Sequence, residues 1–551
     1  MTTPSPSTNT ADWLFFGLLG ALLLWGSAFI HRSSFEVEGE RVYALFDDAM
    51  ISMTYARNAV EGHGLNWARE GEPVEGFTTP LWTAVMALVN ALPVPLERRS
   101  LGIQALVLLL LAAHLALLRR LAVRFFSEGV PPVLVWFPAL LLTAGYYPLA
   151  YWSLMGMETA LQALWTTAAV YWTLVIREGT SAAGRGGWRL GAILALAYLT
   201  RMDMALLAGA CLGWLALTGR SRSEHRWRAV AVAAVLPVAA ALGYQVFRLA
   251  VFDAPLPNTY DLKLTGIPLD IRLPRGGWSL LAFAREHLYF LLLFALAIVP
   301  RLRRQRHWLL PALIVLLYSA YSVWVGGDAW EVTAGVHCNR FMVFTMPLLF
   351  LLASSVVGEV FAGWIRRCPS RRRRLWTAEA LLAVAILASA NGLLPNRSAE
   401  VLKENWAAVT LTDKPLMVTG HEIVYRRLRQ LESHLAPPAR VATFWAGIPA
   451  YFSDYRMVDM LGYSDRHIAR LEPAEALRRA GYRAYRPGHV KGDYRYVFLE
   501  RRPDAFLQAW GMQPERLKRV MRARGFRLVD GFWMRPKSPF RRPASPEGKD
   551  D

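Results

Sequence analysis

Three cysteines in 551 residues, Cys211, Cys338 and Cys368, leave no room for a disulfide framework or a cysteine metal cluster. The topology derived below scatters them to a span, the outer face and the inner face. Lysine is also scarce, with seven residues against 55 arginines, and Lys263 is the only one in the first 400 residues. No P-loop, G-x-G-x-x-G, H-E-x-x-H or G-x-S-x-G motif occurs, which argues against nucleotide hydrolysis and a serine hydrolase. The first ten residues lack a basic n-region and no small-residue cleavage site follows Ile30, so residues 12–30 read as a retained span. Internal repeats and coiled-coil heptads are absent too.

What is present is apolar and basic. Hydrophobic residues make up 54% of the chain, with 21 Trp, as expected of a polytopic membrane protein with a soluble part. The formal net charge of +20 would suit nucleic acid in a soluble chain. Here it fits cytoplasmic-loop charge plus anionic lipid or lipid phosphate, with no nucleic-acid partner.

Apolar runs at about 12–30, 101–118, 131–150, 157–176, 189–200, 203–217, 228–250, 280–300, 307–325, 341–363 and 375–394 predict about eleven spans. The two runs flanking Arg201 read as short helices meeting at a polar break. Thr79–Leu92 is too short to cross and reads as re-entrant or interfacial. In that register the basic clusters at 119–124, 177–189, 220–228, 301–306 and 366–374 all fall on the cytoplasmic side. The N-terminus is then inside and the C-terminus outside. The outer segments become 31–100, 150–156, about 200–203, 251–279, 326–340 and everything after 395.

Residues 1–395 thus read as a transmembrane domain with a first outer loop at 31–100. Residues 396–540 read as an α/β extracytoplasmic domain, with strand-like runs at 440–444, 456–460, 494–500 and 526–533 and a helix at 473–479. Residues 541–551 read as a disordered tail.

Unusual polar residues gather in the outer segments. Asp47 and Asp48 follow the first span, where one carboxylate could serve as a general base; the structural alternative is capping of the next helix. Lys263, beside Asn258, Thr259 and Tyr260, is a point charge suited to phosphate, or a solvated loop residue. Arg201 with Asp203 is an internal ion pair or a cation for lipid phosphate. Glu158 is a buried carboxylate at a span start, structural or sugar-orienting. Gly326-Gly327-Asp328 precedes Asn339-Arg340, and Arg340 is a phosphate ligand or an interfacial snorkelling residue. His337 is a weaker candidate.

These residues lie in segments that resemble the GT-C superfamily of membrane glycosyltransferases. The similarity is to the mycobacterial terminal β-(1→2)-arabinofuranosyltransferase type and related pilin arabinosyltransferases. It is carried by DDAMISMTYARNAVEGHGLNW (47–67), GEPVEGFTTPLW (71–82), GMET (156–159), TRMD (200–203), PLPNTYDLK (255–263), GGD (326–328) with Asn339-Arg340, VDMLGYSDRHIAR (458–470) and PGHVKGDY (487–494). Thr79 stands where Asn or Ser is expected, and the interval from GGD to Arg340 is longer than the pattern.

The resemblance implies a GT-C fold and an inverting transfer of a sugar, D-arabinofuranose among the options, from a polyprenyl-phosphate donor. The acceptor would be a hydroxyl on a glycan, glycolipid or protein outside the bacterial cytoplasmic membrane. It implies Asp48 or Asp47 as base and Lys263, Arg201 and Arg340 as donor-phosphate ligands. Glu158, Asn258, Tyr260, Asp328, Thr79, Trp82 and His489 become sugar or acceptor contacts. No cofactor is required, and no residue cluster calls for a metal, although a divalent ion is compatible. The rival reading, a lipid-linked-sugar flippase, would favour matched inverted halves; the odd span count and one-sided polar residues oppose it.

Overall fold

The computed structural model describes residues 8–125, 130–179, 183–218, 223–287, 306–331, 339–368, 370, 372–393, 398–473, 475–508 and 514–542. Cys338, His337, most of the expected span at 280–300 and the expected tail from 543 onward lie outside the described residues.

The chain forms two compact units, each assembled from three segments. The first comprises Met1–Arg32, Gln104–Tyr244 and Leu273–Leu416; the second comprises Ser33–Ile103, Gln245–Arg272 and Met417–Asp551. The boundary expected at 395/396 therefore falls inside the first unit. Most of residues 31–100, the expected first outer loop, share a unit with the C-terminal segment.

Five described helices are long and apolar enough to cross a membrane: Ala11–Arg32, Leu96–Phe125, Thr159–Arg177, Arg226–Phe252 and Met346–Arg367. Val133–Gly145 and Tyr147–Leu154 make a sixth if taken as one span, bent by 51°. Pro148, in the first turn of the second piece, lacks the amide needed to continue the helix across that bend.

The expected eleven spans are thus not all seen at spanning length. Met202–Thr218, Leu309–Val325 and Thr377–Ala390 are apolar helices of only 10–17 residues. Pro80–Asn90 is likewise a short apolar helix. Around Arg201 the helix Ala183–Thr200 ends, Arg201 is extended, and a 3-10 turn at Met202–Met204 leads into Ala205–Thr218.

Within the first unit, Met346–Arg367 packs on Val133–Gly145. The helices approach so closely at Gly358 that a Cβ there would lie 2.8 Å from the Leu134 carbonyl oxygen. Such small-residue contacts let helix backbones pack where lipid supplies no hydrophobic drive.

The second unit opens with a hairpin, β1 (Ser34–Val37) and β2 (Glu40–Tyr43), turned by Glu38 and Gly39, both at positive φ. Its larger sheet contains β3 (Arg440–Thr443), β4 (Arg456–Asp459), β5 (Ala505–Phe506), β6 (Arg527–Val529) and β7 (Phe532–Met534) in the order β4-β3-β5-β7-β6. β3 runs parallel to β4 and β5, whereas β7 is antiparallel to β5 and β6. Asp530-Gly531 makes the left-handed turn between β6 and β7.

The strand expected at 494–500 is helical instead. The Asp493 side chain accepts from the Tyr496 amide at 3.0 Å, starting a turn that runs through Val497–Arg501.

Helix Val418–His434 packs on β1 and buries His421 completely, with the Trp445 ring edge-on at 5.5 Å. Neither ring nitrogen has a hydrogen-bond partner among the described residues. Burial pushes its pKa down to about 3 from 6.5. The folded unit therefore resists a proton that the unfolded chain accepts, so this residue costs stability as pH falls below 6.5. Replacing His421 with Phe should raise stability relative to the wild type by a margin that grows on acidification, reaching about 2 kcal/mol at pH 5. Thermal unfolding of both proteins between pH 7.5 and 5 checks this, and a pH-independent margin contradicts it.

Candidate active-site segments

The helix Asp47–Val60 begins after Phe46, which provides no side-chain cap, and carries both aspartates in its first turn. There the helix N-terminus favours negative charge. Asp47 is turned onto a different helix. Its Oδ1 accepts from the amides of Gly447 and Ile448, each at 3.1 Å, at the start of the short helix Ile448–Tyr451. A Cβ on Gly447 would lie 2.2 Å from the Asp47 carbonyl oxygen, so the approach requires glycine.

Burial raises the Asp47 pKa to about 7; the two amides lower it and the neighbouring Asp48 charge raises it, both by less. Asp47 thus caps not the helix that follows it, as the structural alternative expected, but a short helix 400 residues away. Asp48 is half-buried beside it.

The other end of this helix grips the same C-terminal segment. Arg57 donates to the Tyr451 carbonyl at 2.6 Å and pairs with Glu61 at 2.7 Å and Asp454 at 2.8 Å. Asn58 Nδ2 donates to the carbonyls of Asn66 and Trp67, and Trp67 Nε1 donates to Ala446 at 2.8 Å. Glu75 forms a deeply buried pair with Arg248 at 2.6 Å. Thr79 precedes the helix Pro80–Asn90 without capping it through its side chain, and Trp82 is 2% exposed inside that helix. None of Arg57, Asn58, Trp67, Glu75 and Arg248 stood out as a site residue in the sequence, because residue type alone does not announce a partner, whether nearby in the chain as for Asn58 or remote as for Arg57 and Trp67.

Also in the second unit, the helix Asn258–Lys263 is anchored along its length. Asn258 Nδ2 donates to the carbonyls of Gly462 at 2.8 Å and Tyr463 at 2.9 Å. Tyr485 Oη donates to the Lys263 carbonyl at 2.5 Å. Lys491, buried, donates to the carbonyls of Asp261, Thr265 and Ala469 at 2.9, 2.8 and 2.7 Å. Burial lowers its pKa. The result presents Lys263 Nζ 5.5 Å from the centre of the Tyr463 ring. His489 Nδ1 lies 3.1 Å from the Pro487 carbonyl, and its ring is near Tyr463; Tyr260 is largely exposed.

In the first unit, Arg201 bridges Glu158 and Asp203, each at 2.8 Å. Its guanidinium lies 5.2 Å from the Phe341 ring centre. This is the internal pairing that holds the break between the two short helices. Arg340 pairs with Asp328 at 3.2 Å and lies over Trp152. Arg275, which the sequence did not single out, pairs with Glu331 at 2.8 Å and donates to the Asp328 carbonyl at 3.0 Å. Glu331 in turn accepts from the Asp328 amide at 2.7 Å.

Of the expected site residues, Asp47, Asp48, Thr79, Trp82, Asn258, Tyr260, Lys263 and His489 belong to the second unit. Glu158, Arg201, Asp328 and Arg340 belong to the first. Among the described residues no group of three or more His, Cys, Asp or Glu side chains could hold a metal ion.

Residues 417–542 match a family described as a domain of unknown function, DUF8728. No curated protein matches the chain. Similar solved structures include ArnT from Cupriavidus metallidurans in the apo state, 13% identical, with a TM-score of 0.47 over 83% of this chain and 87% of that one. Another is the Archaeoglobus fulgidus oligosaccharyltransferase in the apo form, 10% identical, with a TM-score of 0.48 over 81% of this chain and 64% of that one.

The Glu75–Arg248 pair yields a stability test. Arg248→Met leaves a buried carboxylate uncompensated and should cost about 3–5 kcal/mol. The double variant with Glu75→Leu should recover most of that loss. Thermal unfolding of the three proteins decides it; equal destabilisation in the single and double variants contradicts the pairing.

Proposed function

We propose that this protein is an inverting, GT-C-type glycosyltransferase that moves a sugar from a polyprenyl-phosphate donor to an acceptor hydroxyl at the outer face of the cytoplasmic membrane. The sequence resemblance motivates the class, and the spanning helices suit a lipid-borne donor. The observation that carries the residue assignment is the engagement of Asp47 by another helix. Asp47 is engaged by two backbone amides, so Asp48 is the base in this reading.

The Asp48 carboxylate accepts the acceptor's hydroxyl proton as that oxygen attacks the anomeric carbon from the face opposite the phosphate. The bond from anomeric carbon to phosphate oxygen breaks, and polyprenyl phosphate departs with the electron pair. A cation stabilises the charge that develops on the leaving group. Lys263, Arg201 and Arg340 are the proposed candidates, and Glu158, Asn258, Tyr260, Asp328 and His489 the sugar or acceptor contacts. D-arabinofuranose is the donor sugar that the resemblance favours; a glycan, glycolipid or protein is the acceptor.

Incorporation of radiolabelled arabinose from synthetic polyprenyl-phosphate arabinofuranose, by purified protein in lipid nanodiscs supplied with membrane acceptors, tests the proposal. Asp48→Asn should slow transfer by about 10²–10⁴-fold without weakening donor binding. Asp47→Asn should stay within about tenfold of the wild type, because an amide oxygen still accepts from both backbone N–H groups. Full transfer by Asp48→Asn sinks the base assignment, and no transfer from any polyprenyl-phosphate sugar sinks the class.

A further inference from the structure

The second unit contains an open cleft of about 980 Å³ that the chemistry above does not use. Its volume is at the upper end of the roughly 300–1,000 Å³ of small-molecule sites. One wall is the edge strand β4 and the Ser464–Leu471 segment; another is the Trp67–Val74 stretch of the first outer loop. Neither Asp47 nor Asp48 lines it.

The lining is polar and balanced, with five arginines and five carboxylates. A polyanion or polycation would find no net field of opposite sign there. The charged groups are also held in place by contacts of their own. Asp459 accepts from the amides of Leu461, Gly462 and Ser464 at 2.7–3.1 Å. Asp465 accepts from the Ile468 amide, Tyr496 Oη and Arg501, the last at 2.6 Å. Arg456 pairs with Glu70 at 2.7 Å, and its buried Nε has no hydrogen-bond partner among the described residues. Arg440 is exposed, with the Arg501 carbonyl at 3.3 Å as its side-chain partner.

Beside them His467 stacks on Tyr496 with ring centres 4.0 Å apart, and its side chain is 43% exposed. Fixed donors and acceptors of both signs, next to an accessible flat ring, match a ligand with many hydroxyls and apolar C–H faces.

We propose that this cleft is a binding site for a neutral oligosaccharide, and that it holds the sugar chain carrying the acceptor hydroxyl. The second half of that statement rests on the transferase reading; the binding itself does not. A peptide laid along the β4 edge is the competing occupant.

The test uses the full chain in nanodiscs and saturation-transfer NMR with linear neutral tetrasaccharides (α-1,5-arabinotetraose and mannotetraose). Trigalacturonate and an extended Ser/Thr-rich peptide serve as the alternatives. At least one neutral tetrasaccharide should bind, and His467→Ala and Arg440→Gln, both at exposed positions, should each weaken it about tenfold. Asp48→Asn should bind it as the wild type does, so a failed base assignment leaves this result standing. Unchanged unfolding temperatures in the two cleft variants separate lost contacts from lost fold. The proposal is overturned if neither neutral tetrasaccharide binds, if both cleft variants bind normally, or if only the peptide or trigalacturonate competes for the cleft.

Discussion

The second unit depends on one carboxylate meeting two amides. By accepting from Gly447 and Ile448, Asp47 fixes the start of the helix Asp47–Val60 on a C-terminal turn. Arg57, ten residues along the same helix, fixes its far end on residues 451–454. With both ends pinned, the helix can neither slide nor rotate, and Trp67 and Tyr55 reach their partners from a settled frame. The arrangement has a chemical corollary. Desolvation that brings Asp47 to a pKa of about 7 makes it a poor permanent anion near neutral pH. On acidification Asp47 takes up a proton in the folded state more readily than in the unfolded chain, which favours folding, whereas His421 acts in the opposite sense. The contributions of these two residues therefore partly cancel.

Cations in the first unit come already matched. Arg201 is shared by two carboxylates, and Arg275 and Arg340 meet Glu331 and Asp328. Charges taken out of water need such partners. A phosphate approaching Arg201 or Arg340 would have to compete with a carboxylate or displace it. In the second unit, Lys263 lies with its ammonium 5.5 Å from the centre of the Tyr463 ring.

Local features were the most legible in the sequence. Short strand-like runs gave away β3, β4 and the β6–β7 hairpin, and the polar break at Arg201 was visible between two apolar runs. Hydropathy foresaw the short Ala205–Thr218 but not that Leu309–Val325 and Thr377–Ala390 also fall short, since an apolar run does not say where hydrogen bonding stops. Tyr494–Glu500 misled because aromatic and β-branched residues suggest a strand, while the Asp493 cap dictates a turn. β5, with two residues, has no pattern to detect. The aspartate pair was noticed, but the partners of Asp47 were hidden, because those amides belong to Gly447 and Ile448, 400 residues away.

The three-segment make-up of the second unit bears on how the protein is made. The helix that begins at Asp47 leaves the ribosome long before the turn at Gly447 exists, and closing that loop carries the entropy of a very long separation. Until the C-terminal segment arrives, Arg57, Trp67 and Asn258 have only part of their final surroundings. A chain truncated before residue 417 would lose the hydrogen-bonding partners of Asp47, Arg57 and Asn258 together. A fragment beginning there would lack the helix on which Ile448–Tyr451 is seated.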